Sequence, residues 1–342
     1  MPGGPQNFMS RLTKRLIFFD LPPYEIINPS INQNGLYLKS DKIIIGRLDG
    51  VYYYLLTSTN FYNLLLQRKN IKVPVIKNIP DCISQLMTIP LNRYLNRMNM
   101  ELINHSNAIV YQSSLSKKMH ERIIGKTQKP STIIRNGIPT DIFKPLTLRN
   151  QLSGTPKLII TASFRLHKRL QDAIKLTQSL KKIYPKIKLH IIGDMDILTK
   201  KCIHKLNTDC CVFHGRIPSE ELPKLYSNAD LGLSLSIFDP CPNSVVEMMG
   251  CGLPVLTPEE SGAAELIKDK SLIIKEGLIF DYMPLQDANH IPSIDIDKWS
   301  QRVRYVLDNK DTLKEKMLSR IEEELDIRLV ATKYAEFIQS NA

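Results

Sequence analysis

The stretch SIFDPCPNSVVEMMGCGLPVLT, residues 236–257, decides the fold class. It begins at the end of an apolar run, residues 231–235, that has the length of a buried strand, and it ends in a second such run at residues 254–257. Between the two runs, Asp-Pro and Pro-Asn turn signals precede a short apolar helix, residues 245–249, which ends at two glycines. Strand, turn, helix and strand make a βαβ unit. The pattern therefore predicts a parallel sheet whose ligand binds at the carboxyl ends of the strands.

The turn and the start of the helix in this unit suit a nucleotide. Backbone N–H groups at a helix N-terminus can bind a phosphate, with Asn243 or Ser244 as the cap. Glu247, on the first turns of that helix, can accept hydrogen bonds from sugar hydroxyls beside the phosphate. On spacing alone, an ordinary acid that suits the helix dipole explains Glu247 equally well. The predicted donor-binding residues of this segment are Pro242, Asn243, Ser244, Val245 and Glu247.

Asp239 and Glu247, with Pro-Asn-Ser between them and M-G-C-G-L-P-V after them, resemble the carboxylate pair of the family 4 retaining glycosyltransferases. In that family the pattern is E-x7-E followed by A-x-A-x-G-x-P-V. The resemblance implies that Glu247 binds the nucleotide ribose and that Asp239, in place of the first Glu, lies against the donor sugar. It also implies an α/β GT-B fold, in which two Rossmann-like doubly wound domains face a cleft.

Two basic residues, Arg165 and Lys168, follow directly after the apolar run at residues 158–162. A guanidinium and an ammonium at one strand end can bind a diphosphate, although an isolated R-x-x-K is more often a solvated turn. In the resemblance they match the clamp for the donor phosphates, with Arg169 where glycine usually follows the lysine. We infer no protein nucleophile, because in this family a phosphate oxygen is held to help take the proton of the acceptor. The predicted catalytic residues are Arg165, Lys168, Asp239 and Glu247.

The N-terminal half resembles the family more loosely. The sequence GGPQNF begins at Gly3 and Gly4, and in the family G-G-P-x-x-F follows the first strand of the N-terminal domain and lies close to the donor phosphates. That first strand is therefore expected to be missing here. Arg47 and Asp49, in R-L-D-G-V-Y, resemble a segment that lines the interdomain cleft, with a surface ion pair as the alternative. Asn136, in I-R-N-G-I, resembles the segment that closes the first domain.

Apolar runs and helical periods that alternate along the chain predict its domain organisation. Residues 1–150 are the predicted N-terminal Rossmann-like domain on the acceptor side, and residues 151–325 the predicted C-terminal domain that binds the nucleotide-sugar. Residues 326–342 are a predicted helix that crosses back to the first domain. The polar stretch 146–156 is the predicted linker. In the first domain, the apolar run 16–19 is a predicted strand.

Composition indicates an ordinary globular protein. Of its 342 residues, 43% are hydrophobic and 23% are charged, and no window approaches the ~20 apolar residues of a spanning helix. The N-terminus has no apolar core of a signal peptide, so we expect a cytoplasmic protein. Six cysteines without a C-x-x-C pair are expected to be reduced thiols.

The net charge of +12 belongs to the first half alone. Residues 1–150 hold 20 basic and 8 acidic residues, whereas residues 151–342 hold 26 of each. A basic half suits nucleic acid, an anionic membrane surface or an anionic substrate, and also plain solubility. The neutral second half argues against nucleic acid, so peripheral membrane contact is the riskier expectation that we keep. The basic residues on two predicted helix faces are Arg93 and Arg97 on one, and Lys117, Lys118 and Arg122 on the other.

The resemblance as a whole implies a retaining hexosyltransferase. It would move a sugar from a nucleotide-diphosphate donor, such as a UDP- or GDP-sugar, to a glycan or lipid-linked acceptor, with no other cofactor. Asp194-Met195-Asp196 matches D-x-D, the metal motif of the GT-A fold, but it follows a glycine turn, so we predict no bound metal. The alternatives are a sugar-nucleotide epimerase and a catalytically weak protein that binds nucleotide-sugars.

Overall fold

A computed structural model describes residues 4–27, 43–48, 100, 102–147, 155–237, 239–277 and 292–341. Of the predicted site residues, Gly3 and Asp49 lie outside these ranges, as do Arg93 and Arg97. The predicted domain boundary after residue 150 also lies outside them. Within the described ranges the chain forms two parallel sheets, and no helix there has both the length and the apolar character needed to cross a bilayer.

The first sheet belongs to the N-terminal half. Its four described strands lie in the order β1-β2-β3-β4, and every neighbouring pair is parallel. Helix α1 precedes the sheet, and helix α2 connects its last two strands. The bounds are α1 Gly4–Leu16, β1 Tyr24–Ile27, β2 Ile43–Leu48, β3 Ala108–Tyr111, α2 Ser114–Ile123 and β4 Ser131–Ile133.

The strand predicted at residues 16–19 is wrong. Helix α1 continues to Leu16, because Phe8, Leu12 and Leu16 recur at helical spacing and are all buried. The chain then turns, which leaves Ile17 72% and Phe18 76% exposed. The apolar run therefore joins the end of a helical stripe to an exposed turn, and the first strand of the sheet begins only at Tyr24.

The second sheet has six described strands in the order β10-β9-β8-β5-β6-β7, and its neighbouring pairs are all parallel. This is the Rossmann order, in which the chain builds outward from β5 in one direction and then from β8 in the other. The strand order reverses between β5 and β8. The loops that follow these two strands run in opposite directions, which leaves a crevice between them. The strands are β5 Lys157–Thr161, β6 Lys188–Ile192, β7 Cys211–Gly215, β8 Leu231–Leu233, β9 Val255–Pro258 and β10 Ile273–Ile274.

Helices connect and follow these strands, and the apolar faces of all but the last of them join the strands in one core. They are α3 Leu170–Leu180, α4 Ile197–Ile203, α5 Leu222–Ser227, α6 Asn243–Gly250, α7 Gly262–Ile267, α8 Ile296–Asp308, α9 Lys310–Arg320 and α10 Ile327–Gln339.

Gly193 brings the loops after β5 and β6 together. Its φ is +124°, and a Cβ there would lie 1.9 Å from the carbonyl oxygen of Ala162. The close approach allows Phe164 N to donate to Asp194 O at 2.7 Å, and Asp196 N to donate to Phe164 O at 3.1 Å. These bonds fix the start of the loop that follows β5.

The last helix, α10, packs against the first half of the chain. Its buried face shares a core with α1, β2 and β3. A short backbone contact holds the entry to α10: Ile138 N donates to Leu325 O at 3.0 Å, and Ile327 N donates to Ile138 O at 2.8 Å. Gly137 permits this approach, because a Cβ there would lie 2.9 Å from Leu325 O.

Candidate active site

The loops after β5 and β8 meet at the carboxyl edge of the second sheet. A 3₁₀ turn, Leu166–Lys168, follows β5, and the segment that leads to α6 follows β8. Lys168 Nζ lies 2.5 Å from the Oδ2 atom of Asp239, and both side chains are largely covered. The strand order thus brings together two predicted site residues that lie 71 positions apart in the sequence.

Arg165 stands at the entry to this turn. Its backbone is extended, and within the described part of the chain its side chain forms no hydrogen bond or ion pair. The neighbouring His167 has a buried Nδ1 atom, also without a described partner. Desolvation, with Lys168 and Arg165 alongside, holds the pKa of His167 well below its ordinary value. The turn therefore presents a free guanidinium next to a neutral imidazole.

Arg169 has a different role from its two basic neighbours. It adopts the left-handed conformation, φ 51° and ψ 41°, at the position where the resembling family has glycine. Its side chain is fully buried, and Nη1 lies 2.7 Å from the carboxylate of Glu276. Nε donates to Leu235 O at 2.7 Å, and Glu276 also accepts from Trp299 Nε1 at 2.9 Å. The guanidinium of Arg169 is thus part of the core, which leaves Arg165 and Lys168 as the cations of the turn.

Helix α6 begins earlier than predicted, at Asn243, with Pro242 as its N-cap and no capping side chain. The side chain of Asn243 instead accepts a hydrogen bond from Asn136 Nδ2 at 2.7 Å. The predicted phosphate-binding amides need correction. Proline has no N–H, and the N–H of Val245 donates to Pro242 O at 3.1 Å. Of the predicted amides, that of Ser244 remains at the start of the helix for an anion.

Glu247 is buried on α6, with 8% of its side chain exposed. Its Oε1 accepts a hydrogen bond from Arg11 Nη2 at 2.8 Å, which crosses from α1 in the first half of the chain. The same nitrogen donates to Ser219 Oγ at 3.2 Å, and the guanidinium lies 5.1 Å over the ring of Phe143. Burial raises the pKa of Glu247, and the charge of Arg11 opposes that rise.

The sequence gives no sign of this role for Arg11. Its partner lies 236 positions away, and Ser10, Thr13 and Lys14 on the same helix are exposed. Gly4, a predicted donor-binding residue, is the first residue of that helix. A basic residue on the edge of an amphipathic stripe is common, so only the fold identifies this one.

The two described cleft residues, Arg47 and Asn136, lie together between the halves. Arg47 is fully buried, so the alternative of a surface ion pair is wrong for it. Its Nη2 donates to Asn136 Oδ1 at 2.7 Å, and its guanidinium lies 4.5 Å over the ring of Phe8. Asn136 Nδ2 in turn donates to Cys241 O at 3.1 Å. The pair links β2 to the start of α6.

The cysteines beside the site are buried thiols. Burial raises the pKa of Cys241 and that of Cys251 to about 12, so neither forms a thiolate near neutral pH. Cys241 Sγ accepts the N–H of Asn136 at 3.4 Å. These thiols lack the ionisation that a cysteine nucleophile requires.

The D-x-D segment is a turn. Asp196 caps α4, where its carboxylate accepts the N–H of Thr199 at 2.7 Å, and Asp194 pairs with Arg216 at 2.8 Å. Across the described ranges, no three His, Cys, Asp or Glu side chains are grouped as metal ligands. Both aspartates thus have partners within the protein.

Comparison with known proteins finds glycosyltransferases. Residues 149–324, slightly more than half of the chain, match the family described as glycosyl transferases group 1. A glycogen synthase of Mycobacterium tuberculosis is 23% identical over 180 residues, 52% of this chain and 43% of that protein. The amylovoran biosynthesis glycosyltransferase AmsK of Erwinia amylovora is 30% identical over 145 residues, 40% of this chain and 35% of that protein. Each match spans less than half of the relative's length.

Solved structures show the same architecture. Anabaena Alr3699/HepE in complex with UDP has a TM-score of 0.61 at 15% identity, with 87% of this chain and 72% of that chain covered. Sucrose-phosphate synthase from Thermosynechococcus elongatus also has a TM-score of 0.61 at 15% identity, with 99% and 80% covered. Likeness at this level of identity shows the fold, and it confirms the predicted GT-B fold.

The buried pair of Arg169 and Glu276 yields a stability prediction. Arg169→Gly relieves the left-handed backbone but leaves Glu276 buried without its counter-charge. Breaking a buried pair costs about 3–5 kcal/mol, and the relief returns about 1–2 kcal/mol. We expect urea unfolding to show a net loss of roughly 1–4 kcal/mol.

The control is Arg216→Ala, which breaks an exposed ion pair and should change stability by less than about 1 kcal/mol. A second change, Glu276→Gln, should recover part of the loss in Arg169→Gly, since no unpaired charge is then buried. Equal stability of Arg169→Gly and the wild type would show that the pair contributes no more than the left-handed backbone costs.

Proposed function

Because the chain belongs to the family of glycosyl transferases group 1, we propose that it moves a sugar from a nucleotide-diphosphate donor to an acceptor with retention of anomeric configuration and without a metal. The observation that carries the proposal is the meeting of Lys168 and Asp239 where the strand order reverses, with Arg165 beside them. Ligands of open α/β sheets bind at this point. An anionic leaving group and a sugar are the partners that two cations and a carboxylate suit.

In this proposal the two ends of the donor bind to different groups. Arg165 and Lys168 bind the diphosphate, together with the amide of Ser244 at the start of α6. Glu247 accepts hydrogen bonds from the ribose hydroxyls. UDP is the nucleotide bound in the Anabaena protein of similar fold, so UDP-sugars are the first donors to test.

The transfer step needs charge stabilisation more than a protein nucleophile. The bond between the anomeric carbon and the phosphate oxygen breaks, and the acceptor oxygen bonds to that carbon from the same face. The acceptor's proton passes to the departing phosphate oxygen. Arg165 and Lys168 stabilise the charge that grows on this phosphate, which is the contribution of a preorganised electrostatic site. Asp239, which Lys168 holds in place, lies against the sugar.

The acceptor is proposed to be a glycan or a lipid-linked sugar that reaches the site from the basic first half. On α2, Lys118 and Arg122 are exposed one turn apart, and Lys117 is half-buried. Glu121 lies between them, so the positive charge of this face is not continuous. The face suits anionic lipid headgroups, because each basic residue near such a surface contributes about 1 kcal/mol to the free energy of binding.

A screen of nucleotide-sugars tests the donor. The protein should be stabilised against heat by one of the UDP-, GDP-, TDP- or ADP-sugars, because a ligand of the native state stabilises it by RT ln(1 + [L]/Kd). Release of the nucleoside diphosphate with an acceptor should follow, and the product should keep the donor's anomeric configuration. Thermal stabilisation without any turnover would instead favour a nucleotide-sugar-binding protein, and an epimerised sugar would favour an epimerase.

Variants of the turn after β5 test the phosphate assignment. Arg165→Ala and Lys168→Ala should each lower turnover by about 100-fold or more, because both lose charge stabilisation of the transition state, while thermal stability changes little. Lys175→Ala, an exposed lysine on α3, is the matched control and should keep normal turnover. Near-normal rates in both site variants would place the phosphate elsewhere. Turnover should also survive EDTA; its loss would indicate a metal.

Sedimentation with vesicles tests the membrane contact. The full chain should sediment with vesicles rich in anionic lipid at low salt and remain in solution at high salt, because salt screens surface charge. Replacement of Lys118 and Arg122 by glutamine should reduce binding, whereas replacement of the exposed Lys182 and Lys186 in the second half should not. If the wild type does not bind these vesicles at low salt, the proposed contact with a membrane surface is wrong.

A further inference from the structure

We propose that Arg11 is a positioning residue for the donor: from the first half of the chain, it keeps the carboxylate of Glu247 ionised and oriented for the hydroxyls of the nucleoside. This inference rests on the proposed function, which assigns those hydroxyls to Glu247. It adds a residue outside the part of the chain that matches the family, and it makes donor binding depend on both halves.

The geometry leaves Glu247 able to bind a ligand while it is paired. Arg11 contacts Oε1, at 2.8 Å from Nη2. Among the described residues, Oε2 accepts no hydrogen bond, and it is not one of the fully buried atoms that lack a partner. A carboxylate has acceptor capacity on both oxygens, so hydroxyls can bind Oε2 without displacing Arg11.

The guanidinium of Arg11 is fixed from two sides. Ser219 Oγ accepts from Nη2 at 3.2 Å, and the ring of Phe143 lies 5.1 Å from the guanidinium carbon. Its Nη1 is buried without a described partner, so the pair with Glu247 does not use every donor. The guanidinium of Arg11 is therefore held in place, and its Nη1 can donate a hydrogen bond to a ligand hydroxyl that binds the carboxylate of Glu247.

Arg11 is also the source of positive charge at Glu247. Among the described residues, the titratable groups that face this carboxylate are Arg11 from α1, Tyr226 from α5 and Cys251 at the end of α6. Burial raises the pKa of Tyr226 well above its ordinary value and that of Cys251 to about 12, so both are neutral near pH 7. Without Arg11, a buried Glu247 has no described counter-charge and takes up a proton at higher pH.

The sign of the effect on binding follows from this. Burial raises the pKa of Glu247, so its charged form is present above that pKa and is lost as the pH falls through it. Loss of Arg11 raises the pKa of Glu247 further. Binding that needs the carboxylate therefore weakens at acidic pH and recovers at alkaline pH.

The direct test is a carboxyl titration in the free, full-length protein. Glutamate is labelled with ¹³C at the carboxyl carbon, and Glu247 is identified as the resonance lost in Glu247→Gln. Arg11→Ala should raise the titration midpoint of Glu247 by about one pH unit or more. Arg11→Lys should keep the midpoint close to that of the wild type, and Arg11→Gln serves as the neutral variant if Arg11→Ala does not fold. An unchanged midpoint in the neutral variants overturns the proposal.

The matched control is Arg15→Ala. Arg15 lies four residues further along α1, and its nearest described acid is Asp141, at 4.0 Å. This variant removes the same charge and side chain from the same helix without touching Glu247. It should leave the midpoint and donor affinity unchanged, and a shift equal to that of Arg11→Ala would also overturn the proposal.

Donor affinity supplies the second readout, with UDP-glucose as the probe over pH 6 to 8.5. Arg11→Ala should bind at least about tenfold more weakly at pH 6 and approach the wild type at pH 8.5. Glu247→Gln should bind weakly at every pH, and Arg11→Ala should add little to it. Tighter binding by Arg11→Ala would mean that Arg11 competes with the donor, which overturns the inference. If the wild type binds no nucleotide-sugar, the proposed function fails, whereas the titration still reports the charge of Glu247.

Discussion

A carboxylate removed from water needs an opposite charge and hydrogen bonds, and Glu247 obtains both from the other half of the chain. Its partner, Arg11, is carried by α1, which packs through its apolar stripe against α10. Helix α10 is in turn held by the backbone contact at Ile138. The C-terminal helix therefore positions the charge that faces Glu247, although it contributes no residue to the site itself. The packing of α1 against α10, far from the cleft, therefore determines where this positive charge lies within the cleft.

The fold of the second half of the chain could be predicted from its sequence for a physical reason. Parallel strands buried on both faces appear as apolar runs, and the residues at their carboxyl ends share one edge of the sheet. This places Lys168 near Asp239 once the strand order is assumed. The first half of the chain contains fewer such sequence patterns. Residues 16–19 are as apolar as a strand, but Leu16 belongs to a helical stripe, and the packing of α1 decides the outcome. The pairing of Arg11 with Glu247 depends on how two sheets meet, which no local pattern encodes.

Arg169 shows how a side chain can offset an unfavourable backbone. A left-handed conformation costs a non-glycine residue about 1–2 kcal/mol, which explains the usual glycine after the lysine. Here the same conformation directs the guanidinium into the core, where Glu276 and the carbonyl of Leu235 receive it. In the sequence, Arg169 is a third basic residue next to Arg165 and Lys168. The structure instead shows a buried anchor that fixes the turn carrying Arg165 and Lys168.

The charges of the cleft are arranged in pairs that join separate segments. Lys168 faces Asp239, Arg11 faces Glu247, and Glu265 on α7 contacts both Arg135 and the first amides of α2. Each pair stabilises a charge that partial burial would otherwise penalise. Arg165 differs, because its guanidinium has no described partner. A diphosphate can therefore meet Arg165 without breaking a protein contact, whereas Lys168 must share its charge with Asp239. That sharing would hold Asp239 beside the phosphate, which is where a carboxylate can contact the attached sugar.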